Sequence, residues 1–285
     1  MLQWRKARGA SSLGVTRCGK TTFHWGERTY VMGIINVSPD SFSGDGLNTV
    51  EAAVAQAQHF VAEGVDVLDV GGESTRPNSS PISVDEELRR VIPVLERLAG
   101  KTGVPLSVDT YKFDVALRAV DAGAEMLNDI WGLKQEPRLA ALAAERAVPI
   151  ILMSNQRDKP QKNIIPAVIA DLKRAIDLAL DAGVPWENII VDPGVGFGKT
   201  LEQNLELVRR LDELKILGRP VLLGTSRKSM IGLVLELPPE QRLVGTAASV
   251  AIGIARGADI IRVHDVKEMI RVCRMSDAII RGRSS

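Results

Sequence analysis

The sequence predicts a single α/β domain folded as a (β/α)₈ barrel, the TIM-barrel architecture, with a short N-terminal β-hairpin in front of it. Short runs rich in Val and Ile alternate with longer segments whose apolar residues recur at helical spacing. Eight such pairs follow one another in 285 residues, close to the roughly 250 residues typical of this barrel. An open doubly wound sheet would show the same alternation, so the sequence leaves closure of the sheet undecided.

The predicted strands are short and rich in β-branched residues, at 31–35, 65–70, 105–108, 126–130, 148–153, 189–191, 220–223 and 260–263. The segments that follow them predict helices at 50–63, 84–99, 113–122, 137–146, 168–182, 203–217, 242–256 and 266–281.

Residues 1–20 are predicted to be a flexible basic arm, because they contain five Lys or Arg residues and no acid. A transit peptide has a similar composition, and that alternative stays open. The hairpin is predicted next, with strands at 21–25 and 30–36 and a turn at 26–27. Residues 21–285 are assigned to the barrel domain, since no linker or change of composition divides them.

The composition argues against several classes of partner. Lys and Arg number 36 against 35 Asp and Glu, so no basic field favours nucleic acid. No apolar run approaches the roughly 18 residues of a membrane span, and no membrane partner is expected. Cys18 and Cys273 lie far apart, which argues against a disulfide framework and predicts a cytoplasmic location. Small-molecule substrates are therefore the expected partners.

Polar side chains stand where the predicted strands end, which is where barrels of this type place their active sites. They are Asn36, Asp69, Asp109, Asn128, Asp129, Ser154, Asn155, Asp192, Thr225, Ser226, Arg227, Lys228, Arg262 and His264. Helix capping explains a few of them, because Asn, Asp and Ser are common caps, but it does not explain a whole ring.

This ring contains four acids and amides that can accept the N–H donors of a heterocycle, and three cations that suit phosphate. These are Asp69, Asp109, Asn128 and Asp192, and Lys228, Arg262 and His264, respectively. Asn36, with Asp40 and Asp45 after it, offers oxygen ligands of the kind that Mg²⁺ accepts. The ring predicts a nitrogen-rich heterocycle that carries a phosphate.

Two glycine-containing stretches need separate interpretation. The segment 194–200 fails both nucleotide-loop patterns, because Pro193 and Lys199 stand where these patterns need glycine, and it predicts a turn. The segment 71–81 could be a simple connection, but its glycines, Thr and Arg favour a loop that handles an anion.

Seven blocks of the chain resemble the dihydropteroate synthases, in order and at barrel spacing between residues 31 and 280. They are NVSPDSFS at 36–43, DVGGESTRP at 69–77, SVDT at 107–110, NDI at 128–130, DPGVGFGK at 192–199, SRKS at 226–229 and RVHDV at 262–266.

The resemblance implies a Mg²⁺-dependent transferase of folate biosynthesis. It would condense 6-hydroxymethyl-7,8-dihydropterin diphosphate with 4-aminobenzoate to give 7,8-dihydropteroate and pyrophosphate. The diphosphate would leave early, and the aniline nitrogen would attack a pterin-methyl cation without a covalent enzyme intermediate. The resemblance also implies a homodimer formed through the later helices.

Site residues follow from the matching motifs. The resemblance implies catalytic roles for Asp109, Asp192, Lys228, Arg262 and His264. It implies contacts to the pterin diphosphate by these five and by Thr75, Asn128, Met153, Phe197 and Gly224. It implies a 4-aminobenzoate pocket at Phe42, Arg76, Pro77 and Ser226, and Mg²⁺ at Asn36.

Two departures from the family pattern bear on this interpretation. The family commonly has an acid directly after the last Ser of the first block, whereas here Gly44 intervenes before Asp45. The family usually shows Met-His after the fifth strand, whereas Ser154 and Asn155 follow Met153. Two alternatives stay open: a pterin-dependent methyltransferase on the same barrel, and a pterin-binding paralogue without catalysis.

Overall fold

The computed structural model describes residues 13–37, 49–74 and 80–282. A two-stranded antiparallel hairpin comes first, formed by β1 (Val15–Cys18) and β2 (Thr21–His24). An N-terminal hairpin is confirmed, but the predicted pairing of residues 21–25 with residues 30–36 is wrong. Residues 21–24 pair with residues 15–18, and residues 30–36 belong to the barrel sheet. Gly19, at a φ of +57°, opens the two-residue turn between the strands.

The boundary at residue 20 of the predicted arm is therefore too late. Val15 and Arg17 are exposed while Thr16 and Cys18 are buried, which is the alternation of a half-buried strand. The basic residues of this segment hid that alternation. Residues 1–12 lie outside the described part of the chain.

Eight parallel strands form the second sheet. They are β3 (Tyr30–Asn36), β4 (Val67–Gly71), β5 (Leu106–Asp109), β6 (Met126–Asp129), β7 (Ile150–Met153), β8 (Ile189–Asp192), β9 (Leu222–Leu223) and β10 (Ile260–Val263). Their order is β8-β7-β6-β5-β4-β3-β10-β9. A parallel bridge between Val191 and Val221 joins β8 to the β9 segment, and the Val191 N–H donates to the Pro220 carbonyl oxygen at 3.0 Å. This contact completes the ring, and the predicted barrel is confirmed.

Nine α-helices surround the strands in the described residues. They are α1 (Val50–Glu63), α2 (Val84–Leu98), α3 (Phe113–Asp121), α4 (Arg138–Glu145), α5 (Ile164–Asp181), α6 (Leu201–Arg209), α7 (Ser229–Leu235), α8 (Leu243–Ala255) and α9 (Val266–Ile280). Short 3₁₀ helices lie at Trp186–Asn188, Leu211–Leu217 and Pro239–Gln241. None of these described helices is long and apolar enough to cross a membrane.

The helices differ from the prediction in three places. The predicted helix at 203–217 is divided into α6 and a 3₁₀ helix. Helix α5 begins at Ile164, four residues before its predicted start at 168, since Pro166 is tolerated in a first helical turn. Helix α7 was not predicted, because it is only seven residues long.

Two large apolar clusters build the core in the described residues, apart from a small third cluster at Ile130, Met153 and Phe197. The larger one packs the outer face of the sheet against the helices. The smaller one fills the amino-terminal end of the barrel interior and joins the hairpin to the strands, through Cys18, Phe23, Trp25, Tyr30, Met32, Val67, Met126, Ile151, Ile190, Leu222 and Ile260. The hairpin therefore closes one end of the barrel, and the carboxyl ends of the strands form the opposite end.

Candidate active site

A pocket opens among the carboxyl ends of the strands. It encloses about 430 Å³ of empty space, part of it open to solvent. Ten residues predicted from the sequence line it together: Asp109, Asn128, Met153, Asp192, Phe197, Gly224, Ser226, Lys228, Arg262 and His264. Residues that lie up to 155 positions apart in the chain thus share one cavity, which is the arrangement expected at the active end of such a barrel.

Two apolar residues of the pocket were not predicted. Ile34 and Ile130 also line it, and both are buried. Ile34 lies two positions before Asn36, and Ile130 lies two positions after Asn128. Side chains two positions apart share one face of a strand, so this spacing was the signal that could have found them.

Arg262 lies at the centre of a hydrogen-bond network beside the pocket. The Arg262 Nε donates to Asp69 Oδ2 at 2.6 Å, and its Nη2 donates to Asp109 Oδ2 at 2.7 Å. The Asn128 Nδ2 donates to the same Asp69 Oδ2 at 3.0 Å. Asp69, part of the predicted ring but not of the predicted binding set, therefore orients two residues that line the pocket.

The acids of this network keep unused acceptors. Within the described part of the chain, Asp69 Oδ1 and Asp109 Oδ1 are buried and have no hydrogen-bond partner. A buried acceptor without a donor costs free energy, and a ligand N–H that reaches it removes that cost. Asp109 belongs to the pocket lining, so its free oxygen is suited to a donor on a bound heterocycle.

Burial shifts the pKa values of the charged residues in the pocket. Burial raises the pKa of Asp109 to about 7, against the opposing effect of Arg262. Burial also raises the pKa of Asp192, an effect that nearby Lys228 opposes. The pKa of Lys228 is lowered to about 8 by burial, while Asp192 acts in the other direction. Each shift disfavours the charged form, so a bound group of opposite charge would favour the ionised form of these side chains.

Lys228 reaches the pocket from a constrained turn after β9. Arg227, directly before it, adopts a left-handed φ of +53°. Its guanidinium holds Asp265 through Nε to Oδ2 at 3.0 Å and Nη2 to Oδ1 at 2.5 Å. The Lys228 Nζ donates to the Val195 carbonyl oxygen and lies 4.9 Å from the centre of the Phe197 ring. The ion pair thus stabilises the turn that directs Lys228 inward.

Ser226 and His264 meet at the rim formed by the loops after β9 and β10. The His264 backbone N–H donates to Ser226 Oγ at 3.1 Å, and His264 Nδ1 lies 2.9 Å from the same oxygen. These two contacts fix the imidazole orientation beside Arg262, so that both side chains face the pocket.

Five predicted side chains are not among those that line the pocket. Phe42, Thr75, Arg76 and Pro77 lie outside the described residues, as do Asp40 and Asp45. Asn36 ends β3, opposite Gly71 of β4, and is partly buried. The described residues contain no group of three or more His, Cys, Asp or Glu that could hold a metal ion.

The segment that departs from the family pattern after β7 faces away from the pocket. The Ser154 Oγ donates to Asp171 Oδ2 at 2.9 Å, and Asp171 lies on α5. The Asn155 Nδ2 donates to the Ile130 carbonyl oxygen at 3.0 Å. Both side chains are fully buried, so they stabilise the loop between β7 and α5 and do not line the cavity.

Comparison with known proteins supports these observations. The family described as "Pterin binding enzyme" matches residues 32–264. The chain is 50% identical over 255 residues to a dihydropteroate synthase of Bacillus subtilis, which covers 89% of this chain and 90% of the relative. It is 49% identical over 267 residues to that of Clostridium beijerinckii, with 93% of this chain and 99% of the relative covered.

Solved structures give the same result. A dihydropteroate synthase from Clostridium difficile, crystallised in the presence of pteroic acid, matches with a TM-score of 0.86 and 49% identity, over 91% of this chain and 99% of the other. A Xanthomonas albilineans dihydropteroate synthase with 4-aminobenzoic acid matches with a TM-score of 0.88 and 43% identity, over 94% of this chain and 98% of the other.

Proposed function

The chain belongs to the family of pterin-binding enzymes, among the dihydropteroate synthases, and from this premise we infer how its pocket works. The enzyme condenses 6-hydroxymethyl-7,8-dihydropterin diphosphate with 4-aminobenzoate to give 7,8-dihydropteroate and pyrophosphate. It is a transferase of folate biosynthesis. The observation that carries this conclusion is the convergence of buried acids, a half-buried lysine, an arginine and a histidine on one cavity.

The pterin ring is proposed to lie in the depth of the pocket. The free Oδ1 of Asp109 can accept a ring N–H, and Asn128 and Asp192 offer further polar contacts from neighbouring strands. Met153 and Phe197 belong to one small apolar cluster and would pack against the ring faces. Lys228, above Phe197 and near Asp192, would orient the ring by a charged hydrogen bond.

The diphosphate is proposed to bind at the rim. Arg262 and His264 face the cavity there, and the cationic side chains suit a group of high negative charge. Thr75 is proposed to join them, although it lies outside the described residues. As the C–O bond to the diphosphate breaks, its electron pair stays on the leaving oxygen, and these cations stabilise the increasing charge.

The pterin-methyl cation left behind is proposed to be stabilised by Asp109 and Asp192 in their ionised forms. The amino nitrogen of 4-aminobenzoate then forms the new C–N bond and releases a proton to solvent. No side chain forms a covalent bond in this sequence. Ser226 is proposed to contact 4-aminobenzoate beside His264, with Phe42, Arg76 and Pro77 outside the described residues.

Mg²⁺ is proposed as the cofactor, held near Asn36. The Asn36 side chain offers one amide oxygen at the carboxyl end of β3, and Mg²⁺ usually takes one or two protein oxygens plus waters and substrate phosphates. This donor set therefore fits the ion. When bound, Mg²⁺ would supply positive charge that neutralises the diphosphate.

The test is product formation from both substrates, with dihydropteroate detected by mass, in the presence of Mg²⁺ or of a chelator. We expect product with Mg²⁺ and little without it. Equal product in both conditions would remove the metal from the proposal. Pterin binding without any product would favour the non-catalytic alternative, and methyl transfer would favour the methyltransferase.

A cytoplasmic homodimer is also proposed. Large apolar side chains are exposed on α7, α8 and α9, at Leu233, Val234, Val244, Ile252, Met275 and Ile279. Such a patch usually marks a contact surface. The cytoplasmic location is supported by the two cysteines, which form no disulfide with each other and are buried, as is usual in a reducing compartment. Sedimentation of the wild type is expected to show a dimer, and Val244→Glu is expected to shift it toward monomer. A monomeric wild type would contradict the dimer.

A further inference from the structure

The turn at residues 194–198 after β8 brings Phe197 to the pocket wall. Gly194, Gly196 and Gly198 have φ angles of +69°, +85° and +66°, a region that favours glycine. A Cβ on Gly194 would lie 2.1 Å from the Ser154 carbonyl oxygen. The turn therefore packs directly on the backbone of the loop after β7, with no room for side chains between them.

Lys199 binds this turn from behind the pocket. Its Nζ donates to the carbonyl oxygens of Ser154 at 2.8 Å, Gly194 at 2.9 Å and Phe197 at 3.1 Å. An ammonium group has three donors, and these contacts use all of them. Lys199 is not among the residues that line the pocket. Its ammonium therefore joins the turn to the neighbouring loop without reaching the cavity.

The same turn contacts the groups that are proposed to bind the pterin. The Gly194 N–H donates to Asp192 Oδ1 at 2.7 Å. The Val195 carbonyl oxygen accepts from Lys228 Nζ, and the Phe197 ring lies below that nitrogen. A small shift of the turn would displace an acid, a lysine and an aromatic wall together.

We propose that Lys199 is a positioning residue for the pterin substrate: it fixes the turn so that Phe197, Asp192 and Lys228 keep the geometry that the ring requires. This proposal rests on the proposed function of the pocket. The Lys199 ammonium binds three carbonyl groups, which come from two loops. Each backbone hydrogen bond between these loops joins only two groups.

The turn is expected to form without Lys199, although less rigidly. The Gly194 carbonyl oxygen also accepts from the Phe197 N–H at 3.1 Å, and the Phe197 carbonyl oxygen also accepts from the Gln156 N–H at 3.3 Å. These bonds remain when the lysine is removed. A variant should therefore fold and lose the precision of the turn, which is what a positioning role requires.

Lys134 offers a matched control. Its Nζ lies in the same region and binds the Asn155 carbonyl oxygen at 2.5 Å and Asp171 Oδ2 at 3.0 Å. It holds the adjacent loop, and no hydrogen bond or ion pair between it and residues 194–198 is present in the described structure. Lys134→Met removes a partly buried ammonium and its bond to a carbonyl group, as Lys199→Met does, but leaves the turn untouched.

The experiment compares Lys199→Met with Lys134→Met and the wild type. It measures kcat, the KM for each substrate with the other at saturation, the Kd for the dihydropterin diphosphate by calorimetry, and the unfolding temperature. We expect Lys199→Met to raise the Kd and KM for the pterin substrate by roughly tenfold. The aminobenzoate substrate should show a KM change of less than about twofold, because the turn touches the pterin side.

Lys134→Met should leave both KM values within about twofold of the wild type, even where it lowers the unfolding temperature equally. An equal rise of the pterin Kd in both variants would overturn the proposal, as would an unchanged Kd in Lys199→Met. If Lys199→Met does not fold, Lys199→Gln, which retains two N–H donors, should give an intermediate rise. Product formation by the wild type tests the proposed function separately, so the two failures are distinguishable.

Discussion

The two ends of the barrel interior are built from the same strands but from opposite kinds of side chain. At the amino-terminal end, Phe23 stacks on Trp25 at 5.4 Å between ring centres and meets Tyr30 edge-on at 4.9 Å. At the carboxyl end, Arg262 holds two acids, Asp69 and Asp109, each of which keeps an oxygen without a donor among the described residues. One end is fully packed, whereas the other carries polar groups that a ligand can satisfy.

Within a single strand, one residue can therefore contribute to the packed end of the barrel and another to the pocket. In β8, Ile190 belongs to the apolar cluster near the hairpin, whereas Asp192, two residues later on the same face, lines the pocket. Burial of the aromatic and aliphatic residues contributes stability, and burial of the acid oxygens that lack a donor costs stability. Substitutions at the two ends should therefore separate activity from stability.

The largest effect is expected for Lys228→Ala and Asp192→Ala. Each removes one of two neighbouring, opposite charges that are proposed to contact the pterin, so kcat/KM should fall on the order of 10²–10³-fold or more. The barrel should remain folded, because neither side chain belongs to its apolar core. Steady-state kinetics and circular dichroism measure the two quantities. The exposed Lys101→Ala is the control, and activity near wild type in either site variant would refute the assigned roles.

A substitution at the amino-terminal end of the barrel should instead lower stability and leave activity unchanged. Phe23 is fully buried among Trp25 and Tyr30, so Phe23→Ala should lower the free energy of unfolding by about 3–5 kcal/mol. The folded fraction should keep its kcat at 25 °C. Urea unfolding followed by fluorescence measures the loss. Val15→Ala, at a 40% exposed position of the same hairpin, should change stability by less than about 0.5 kcal/mol. A similar loss in both variants would contradict the role of the aromatic cluster.

The smallest of these effects is a pH dependence that belongs to the pocket end. Burial raises the pKa of Asp109 to about 7, so kcat/KM for the pterin substrate should rise up to that pH as the carboxylate ionises. Burial lowers the pKa of Lys228 to about 8, so kcat/KM should fall above that pH as the ammonium loses its proton. The residual activity of Asp109→Asn should lack the acid limb, while Phe23→Ala should keep both limbs.

The same shift has a consequence for stability. The folded protein binds the Asp109 proton more tightly than the unfolded chain does, because the folded pKa lies near 7 and the ordinary value is 3.8. The contribution of this group to stability is therefore present below the ordinary pKa and decreases as the pH rises to about 7. Urea midpoints between these pH values should fall less in Asp109→Asn than in the wild type, and parallel curves would contradict the assignment.

The sequence predicted the structure best where the type of a residue indicates whether it is buried in the core or lies in a polar site. Apolar runs located all eight barrel strands, and polar residues after these strands located seven residues of the pocket. The family motifs added Met153, Phe197 and Gly224. It was least informative where a local pattern was obscured, as in β1, whose basic residues concealed the buried Thr16 and Cys18. Helix α7, with seven residues, was too short to show a helical period.

The sequence by itself determined the strand and helix alternation, the polar ring and the family, because periodicity and motifs are local properties of the chain. Only the tertiary structure decided that the sheet closes, that Arg262 joins Asp69 and Asp109, and that Lys199 binds three carbonyl groups. Arg262 meets Asp69 across 193 positions of the chain, and carbonyl oxygens are present at every residue. No sequence pattern predicts such contacts, because only folding brings the two partners within hydrogen-bond distance.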